Sequence, residues 1–133
     1  MVKLIREIVL DYAKVQLFES KVIRIEIFGN IIIGKNEAKA MNDSIGILSE
    51  GKESLILLVA DEVTQFDREA NEFSASAEGL KYTIADAFVV KGLAQKILAN
   101  FYLKFNKPAK PSRIFNSEKA ALEWLFSLVK IKV

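Results

Sequence analysis

The chain has 133 residues, a formal net charge of +2, 51% hydrophobic residues, and neither cysteine nor histidine. Without thiols there are no disulfides, thiolate metal sites or cysteine nucleophiles; without imidazole neither a Ser-His-Asp triad nor an ordinary zinc hydrolase centre can be assembled. Carboxylate, lysine, tyrosine and hydroxyl chemistry remain, in a length suited to one domain spanning 1–133.

Charge is unevenly spread: residues 1–90 hold 10 Lys/Arg against 15 Asp/Glu, and residues 91–133 hold 9 against 2. A basic face is therefore expected in the last third, suited to phosphate, an anionic membrane surface or an acidic partner, or serving only to solvate the domain. The longest apolar run, Leu55 to Ala60, is far short of the roughly 18 residues that span a bilayer. Lys3, Arg6, Glu7 and Asp11 interrupt the hydrophobic stretch a secretory signal requires, so a cytoplasmic location is expected.

Residues 2–10 suit a strand and a short helix equally well. Ala13, Val15 and Leu17 then alternate with Lys14 and Gln16, and Val22 to Phe28 repeats the period of two. Glu19-Ser20-Lys21 between them predicts a hairpin turn. Beyond Gly29-Asn30 and Ile31–Ile33, the apolar positions Ala38, Met41, Ile45 and Leu48 recur at helical spacing, and the helix ends near Gly51. Ser54 to Ala60 is apolar throughout, as a strand covered on both faces must be. Asp67 is set to cap a helix with Glu69 in its first turn and Ala70, Phe73, Ala77 and Leu80 turned inward.

Ile84 to Val90 predicts a second apolar strand. Lys91-Gly92 leads into a helix over 92–105 with Ala94, Ile97, Leu98, Phe101 and Phe105 on its inner side, closed by Pro108. A short strand is expected at Ser112–Phe115, and Asn116 or Ser117 caps a last helix whose inward residues are Ala121, Leu122, Leu125, Leu128 and Val129. This order gives an α/β fold: an amino-terminal β-hairpin, then alternating helix–strand units forming a largely parallel central sheet with helices packed on it.

Four stretches in the carboxy-terminal half carry a family likeness: Asn100-Phe101-Tyr102, Lys107-Pro108-Ala109-Lys110-Pro111, Arg113-Ile114-Phe115 and Ala121-Leu122-Glu123-Trp124-Leu125. With this element order the chain resembles the STAS superfamily of anti-sigma-factor-antagonist-like (SpoIIAA-like) domains, in particular small uncharacterised bacterial members, over roughly residues 12–130. The resemblance implies a SpoIIAA-like fold. In regulatory members a phosphorylatable Ser or Thr follows an Asp after the central strand, in an Asp-Ser-x-Gly-like context. Here Asp67 is retained, Arg68 stands at the hydroxyl position and the Gly is missing, so no phospho-switch is expected there. Thr64, the nearest hydroxyl, is expected to act as an alternative helix cap.

Ligands of open α/β sheets sit beyond the carboxyl ends of the strands, which places the candidate rim at Asn30, Gly34, Asp61, Glu62, Asp67, Lys91 and Gly92. Asp61, Glu62 and Asp67 are raw material for a cation or a general base, and equally for caps and loop solvation. On the helical wheel Leu103 falls away from the inner stripe with Tyr102 at the boundary, so Tyr102, Leu103 and Phe126 form a candidate interface. Lys104, Lys107, Lys110 and Arg113 surround Phe105 and two prolines as a candidate basic patch, too few in cations for nucleic acid to be expected. Trp124 reads as a core residue.

No catalytic set, metal site or cofactor is assigned. The expected function is a non-enzymatic regulatory or scaffolding interaction module with a protein partner or a second copy of itself. The alternative is a carrier or sensor of a small apolar or amphipathic ligand held between helices and sheet.

Overall fold

The structure, a computed structural model, describes residues 3–129. Val2, at the start of the ambiguous leading stretch, lies outside them, as do Lys130 and Lys132 of the basic last third.

The leading stretch is a strand, β1 (Leu4–Val9), paired antiparallel with β2 (Ala13–Phe18). Pairing along the sheet edge decides between two local conformations that the sequence leaves balanced. β2 and β3 (Val22–Ile27) form the expected hairpin. Lys21 takes a left-handed conformation at φ 67° in its turn, and its N–H donates to the Phe18 carbonyl at 2.8 Å.

The remaining chain alternates: β4 (Ile32–Ile33), α1 (Lys35–Leu48), β5 (Ser54–Ala60), β6 (Gln65–Phe66), α2 (Arg68–Ala75), β7 (Thr83–Val89), α3 (Leu93–Asn106), β8 (Ser112–Phe115) and α4 (Glu118–Leu128). Among the described residues the main sheet has the order β1-β2-β3-β5-β7-β8, and β3, β5, β7 and β8 run parallel. β4 and β6 form a small parallel pair of their own.

The period-two pattern sends alternate side chains of each strand to opposite layers. On one side Ile23, Ile25, Ile27, Ile56 and Ala60 pack against Ala38, Met41, Ile45 and Leu48 of α1 and against Ala70 and Phe73 of α2. On the other, Leu55, Leu57, Val59, Ala85, Ala87 and Val89 meet Ala121 and Leu125 of α4. β5 is apolar on both faces because it lies between these two cores. An ion pair fastens α4 to the sheet: Arg24 donates through Nε and Nη2 to the Glu118 carboxylate at 2.8 and 3.0 Å, and through Nη1 to Glu26 at 2.8 Å. These bonds raise the Arg24 guanidinium above its ordinary value and hold the Glu118 carboxyl below its own.

The structure corrects the expected packing in several places. α2 ends at Ala75, so Ala77 is exposed in the following turn while Leu80 is still buried. Leu128 and Val129 are exposed at the end of α4, and Trp124 is half-buried beside Phe115 with ring centroids 5.6 Å apart. The largest correction concerns α3. Ile97, Phe101 and Phe105, expected inside, are 57%, 56% and 60% exposed, with Leu98 and Ala94 exposed as well. Tyr102, expected at the boundary, is the buried residue of this helix, its ring edge-on to Phe88 of β7 at 5.9 Å. α3 lies on the α1/α2 side but leans on the sheet through Tyr102, which leaves a gap between itself and its neighbours.

Candidate functional site

The rim residues do gather at the carboxyl ends of the parallel strands. Asp67 Oδ1 accepts from Ala70 N–H at 2.8 Å and caps α2; Glu37 Oε1 accepts from Gly34 N–H at 2.8 Å at the start of α1. Gly34 lies between these carboxylates, since a Cβ there would sit 2.9 Å from Glu37 Oε1 and 3.3 Å from Asp67 Oδ2. Gln95 ties the start of α3 to the rim, donating to the Asp61 carbonyl at 2.6 Å and accepting from Lys91 N–H at 3.1 Å, beside the cap Gly92. Asn30, Asp61 and Glu62 are exposed. Among the described residues no three carboxylates come together as a metal ion requires, so Asp61, Glu62 and Asp67 do not form a joint centre. Thr64 is not a cap: it is buried and its Oγ1 finds no partner among the described residues.

The other candidate groups are also separated. Tyr102 faces the gap inside α3, whereas Leu103 is half-buried on the neighbouring flank of the helix with Ile114 and Phe115 of β8. Phe126 lies on α4, across the sheet. Of the basic group, Lys110 pairs with Glu53 at 2.8 Å, Arg113 lies 5.5 Å from the Phe115 ring and Lys104 5.7 Å from that of Phe105. Lys107 forms the left-handed end of α3 at φ 49°. These cations flank the amino-terminal ends of the strands, opposite the rim.

What the structure builds instead is a cleft of about 200 Å³ between the sheet and helices α1, α2 and α3. Its walls are mostly apolar, among them Ile25, Met41, Leu58, Phe73, Phe88 and Phe101. It exists because α3 stands off from the sheet. Asn42, Thr64, Asp86 and Tyr102 supply polar groups to the same walls.

Asp86 is the decisive one. It lies mid-way along β7, opposite Ile56 of β5 and Ser112 of β8, where alternation directs it away from the α4 core and into the cleft. The residue is half-buried and lines the cleft, and the protein packed around its carboxyl removes most of the surrounding water. This desolvation pushes its carboxyl up to about 7, and among the described residues neither a donor nor a cation offsets it. Tyr102 is raised too, by its own burial first and then by the nearby Asp86. Asn42 donates through Nδ2 to the Glu78 carbonyl at 3.1 Å, which fixes its amide and leaves Oδ1 as an enclosed acceptor with no partner among the described residues.

Asp86 escapes notice in a reading of Ile84–Val90 as one apolar strand. The signal was present: a single carboxylate in a strand covered on both faces has no solvent to turn to.

A family model described as Domain of unknown function (DUF7793) matches residues 17–129. The chain belongs to this family. The match runs from the second strand to the end of the last helix, so the cleft and Asp86 lie within the DUF7793 domain. No curated protein matches the sequence. Among solved structures, an uncharacterised protein of the DUF3478 family with a SpoIIAA-like fold, from Shewanella loihica PV-4, superposes with a TM-score of 0.58 at 14% identity, covering 85% of this chain and 91% of that one. The DUF7793 domain therefore has a SpoIIAA-like fold, with the mostly parallel sheet and flanking helices its sequence predicts. None of its described helices is long and apolar enough to cross a membrane.

Proposed function

We propose that this domain is a non-enzymatic carrier or sensor of a small amphipathic ligand held in the cleft between the sheet and α3. The observation that supports this most directly is the cleft itself: about 200 Å³ with mostly apolar walls and a few polar groups, where close packing is the norm for a domain of this size. An engineered apolar cavity of roughly 150 Å³ accepts benzene, so a single ring or a short alkyl chain fits this volume. Half-closed walls let a longer body continue along the exposed side of α3.

The test is a thermal-shift titration with 1-octanol. Occupancy of the folded state raises the melting temperature saturably. Ala99, half-buried on the cleft side of α3, offers a plug: Ala99→Trp fills the opening from a helix that is loosely packed, and keeps the far-ultraviolet dichroism of the folded domain while losing the shift. A wild-type melting temperature that responds neither to octanol nor to the amine and the carboxylate of the same chain length rejects this function.

A second reading, an interaction module, draws support from Leu93, Ile97, Leu98, Phe101 and Phe105, all exposed along α3. It requires wild-type protein to associate at rising concentration in light scattering and Phe101→Glu to remain monomeric.

A further inference from the structure

The cleft has a pronounced imbalance of hydrogen-bonding groups. Among the described residues the Asp86 carboxyl meets neither donor nor cation, and Asn42 Oδ1 is an acceptor without a donor. No Lys or Arg among the described residues lines the walls. Beside Asp86 stand Ile56 and Ser112 on the adjoining strands and, near it, the Tyr102 phenol from α3; the uncharged amides of Asn42 and Asn71 from α1 and α2 line the same cleft. Among the described residues Asp86 is thus the one carboxyl in the wall, and Tyr102 the one other titratable group.

We infer that the cleft selects a cationic head: an alkyl- or arylammonium whose apolar body fills the pocket while its N–H groups donate to the Asp86 carboxylate. This rests on the carrier or sensor reading and names the ligand class. A carboxylate removed from water without a partner is destabilised, and an entering ammonium supplies the positive charge that the walls lack together with donors that can reach Asp86, which the Thr64 hydroxyl and Tyr102 phenol of the same walls do not bond. A hydroxyl head supplies one donor and no charge. A carboxylate head adds a second negative charge in a medium that screens it poorly. Ammonium binding also requires Asp86 ionised, so protons compete with the ligand. The raised carboxyl puts that competition near neutral pH.

Octylamine, 1-octanol and octanoate share one alkyl body and differ in the head, and octylamine is cationic throughout the range used. Calorimetric titration at about pH 8 is expected to rank octylamine at least about tenfold tighter than octanol, with octanoate weakest. Lowering the pH to about 6 weakens octylamine severalfold as Asp86 takes up its proton, and leaves octanol unaffected. In Asp86→Asn, with folding checked by dichroism, the amine-to-alcohol ratio collapses to about one and its pH dependence disappears. Equal binding of all three probes overturns the head selectivity and leaves the apolar cleft standing as a ligand site. An amine preference that survives in Asp86→Asn overturns the role of this carboxyl. Binding of none of the three overturns this inference and the carrier or sensor function together.

Discussion

Asp86 ties stability to pH. Its carboxyl is raised from 3.8 to about 7, so between those values the folded chain holds a proton that the unfolded chain has released. Stability therefore falls as pH rises through that window and levels off above it. At about 1.4 kcal/mol per pKa unit the ceiling is on the order of 4 kcal/mol, reduced by the water the cleft admits. Other shifted groups act elsewhere: Glu118, lowered from 4.5, contributes stability that is lost only below that value, and Tyr12, pushed up to about 12, matters only in alkali. Wild-type melting temperature is expected to drop by several degrees between about pH 5 and pH 8, while Asp86→Asn stays level. A wild type as level as the variant shows a well-solvated carboxyl. A second residue-scale prediction concerns Gly79, whose N–H donates to Ser76 Oγ at 3.1 Å in the turn after α2. A Cβ there runs into the Phe73 carbonyl, a backbone atom with no rotamer to yield. Gly79→Ala is expected to cost about 2 kcal/mol or more in urea unfolding.

Elements differ in how firmly they are held, and in how far sequence reveals it. α4 is bolted on by Leu125 in the core and by Arg24–Glu118, whose partners lie 94 positions apart. Because Glu118 is more than a third exposed, a double-mutant cycle of Arg24→Met and Glu118→Gln is expected to return a coupling of only about 1 kcal/mol. α1, β5 and the caps at Asp67 and Ser117 are legible along the chain because their signals are local: a stripe, an apolar run, an oxygen three residues before an open N–H. α3 is not legible in this way. Its apolar residues occupy several sides, so the wheel cannot choose which faces the sheet. The choice falls to a remote contact, Tyr102 on Phe88. β1 is similar, since strand and helix are balanced until the neighbouring hairpin supplies a partner.

At the scale of the whole molecule the architecture was readable and the site was not, for one physical reason. Burial pattern specifies layers, and it survives at 14% identity to a protein of the same fold. A cleft is a local failure of those layers to close. Its lining comes from β3, α1, β5, β6, α2, β7 and α3, and its apolar majority looks like ordinary core along the chain, while its polar members are scattered over separate elements. Of the polar rim positions that drew attention by type, Asp67 caps α2 while Asn30, Asp61 and Glu62 stand exposed. The strand order has a consequence of another kind. Read from edge to edge, β1-β2-β3-β5-β7-β8 follows the order in which the strands leave the ribosome. Each newcomer finds its neighbour already in place, and none has to wedge between two that are formed. Assembly can thus proceed vectorially by accretion at a single growing margin, with few opportunities for mispairing during synthesis.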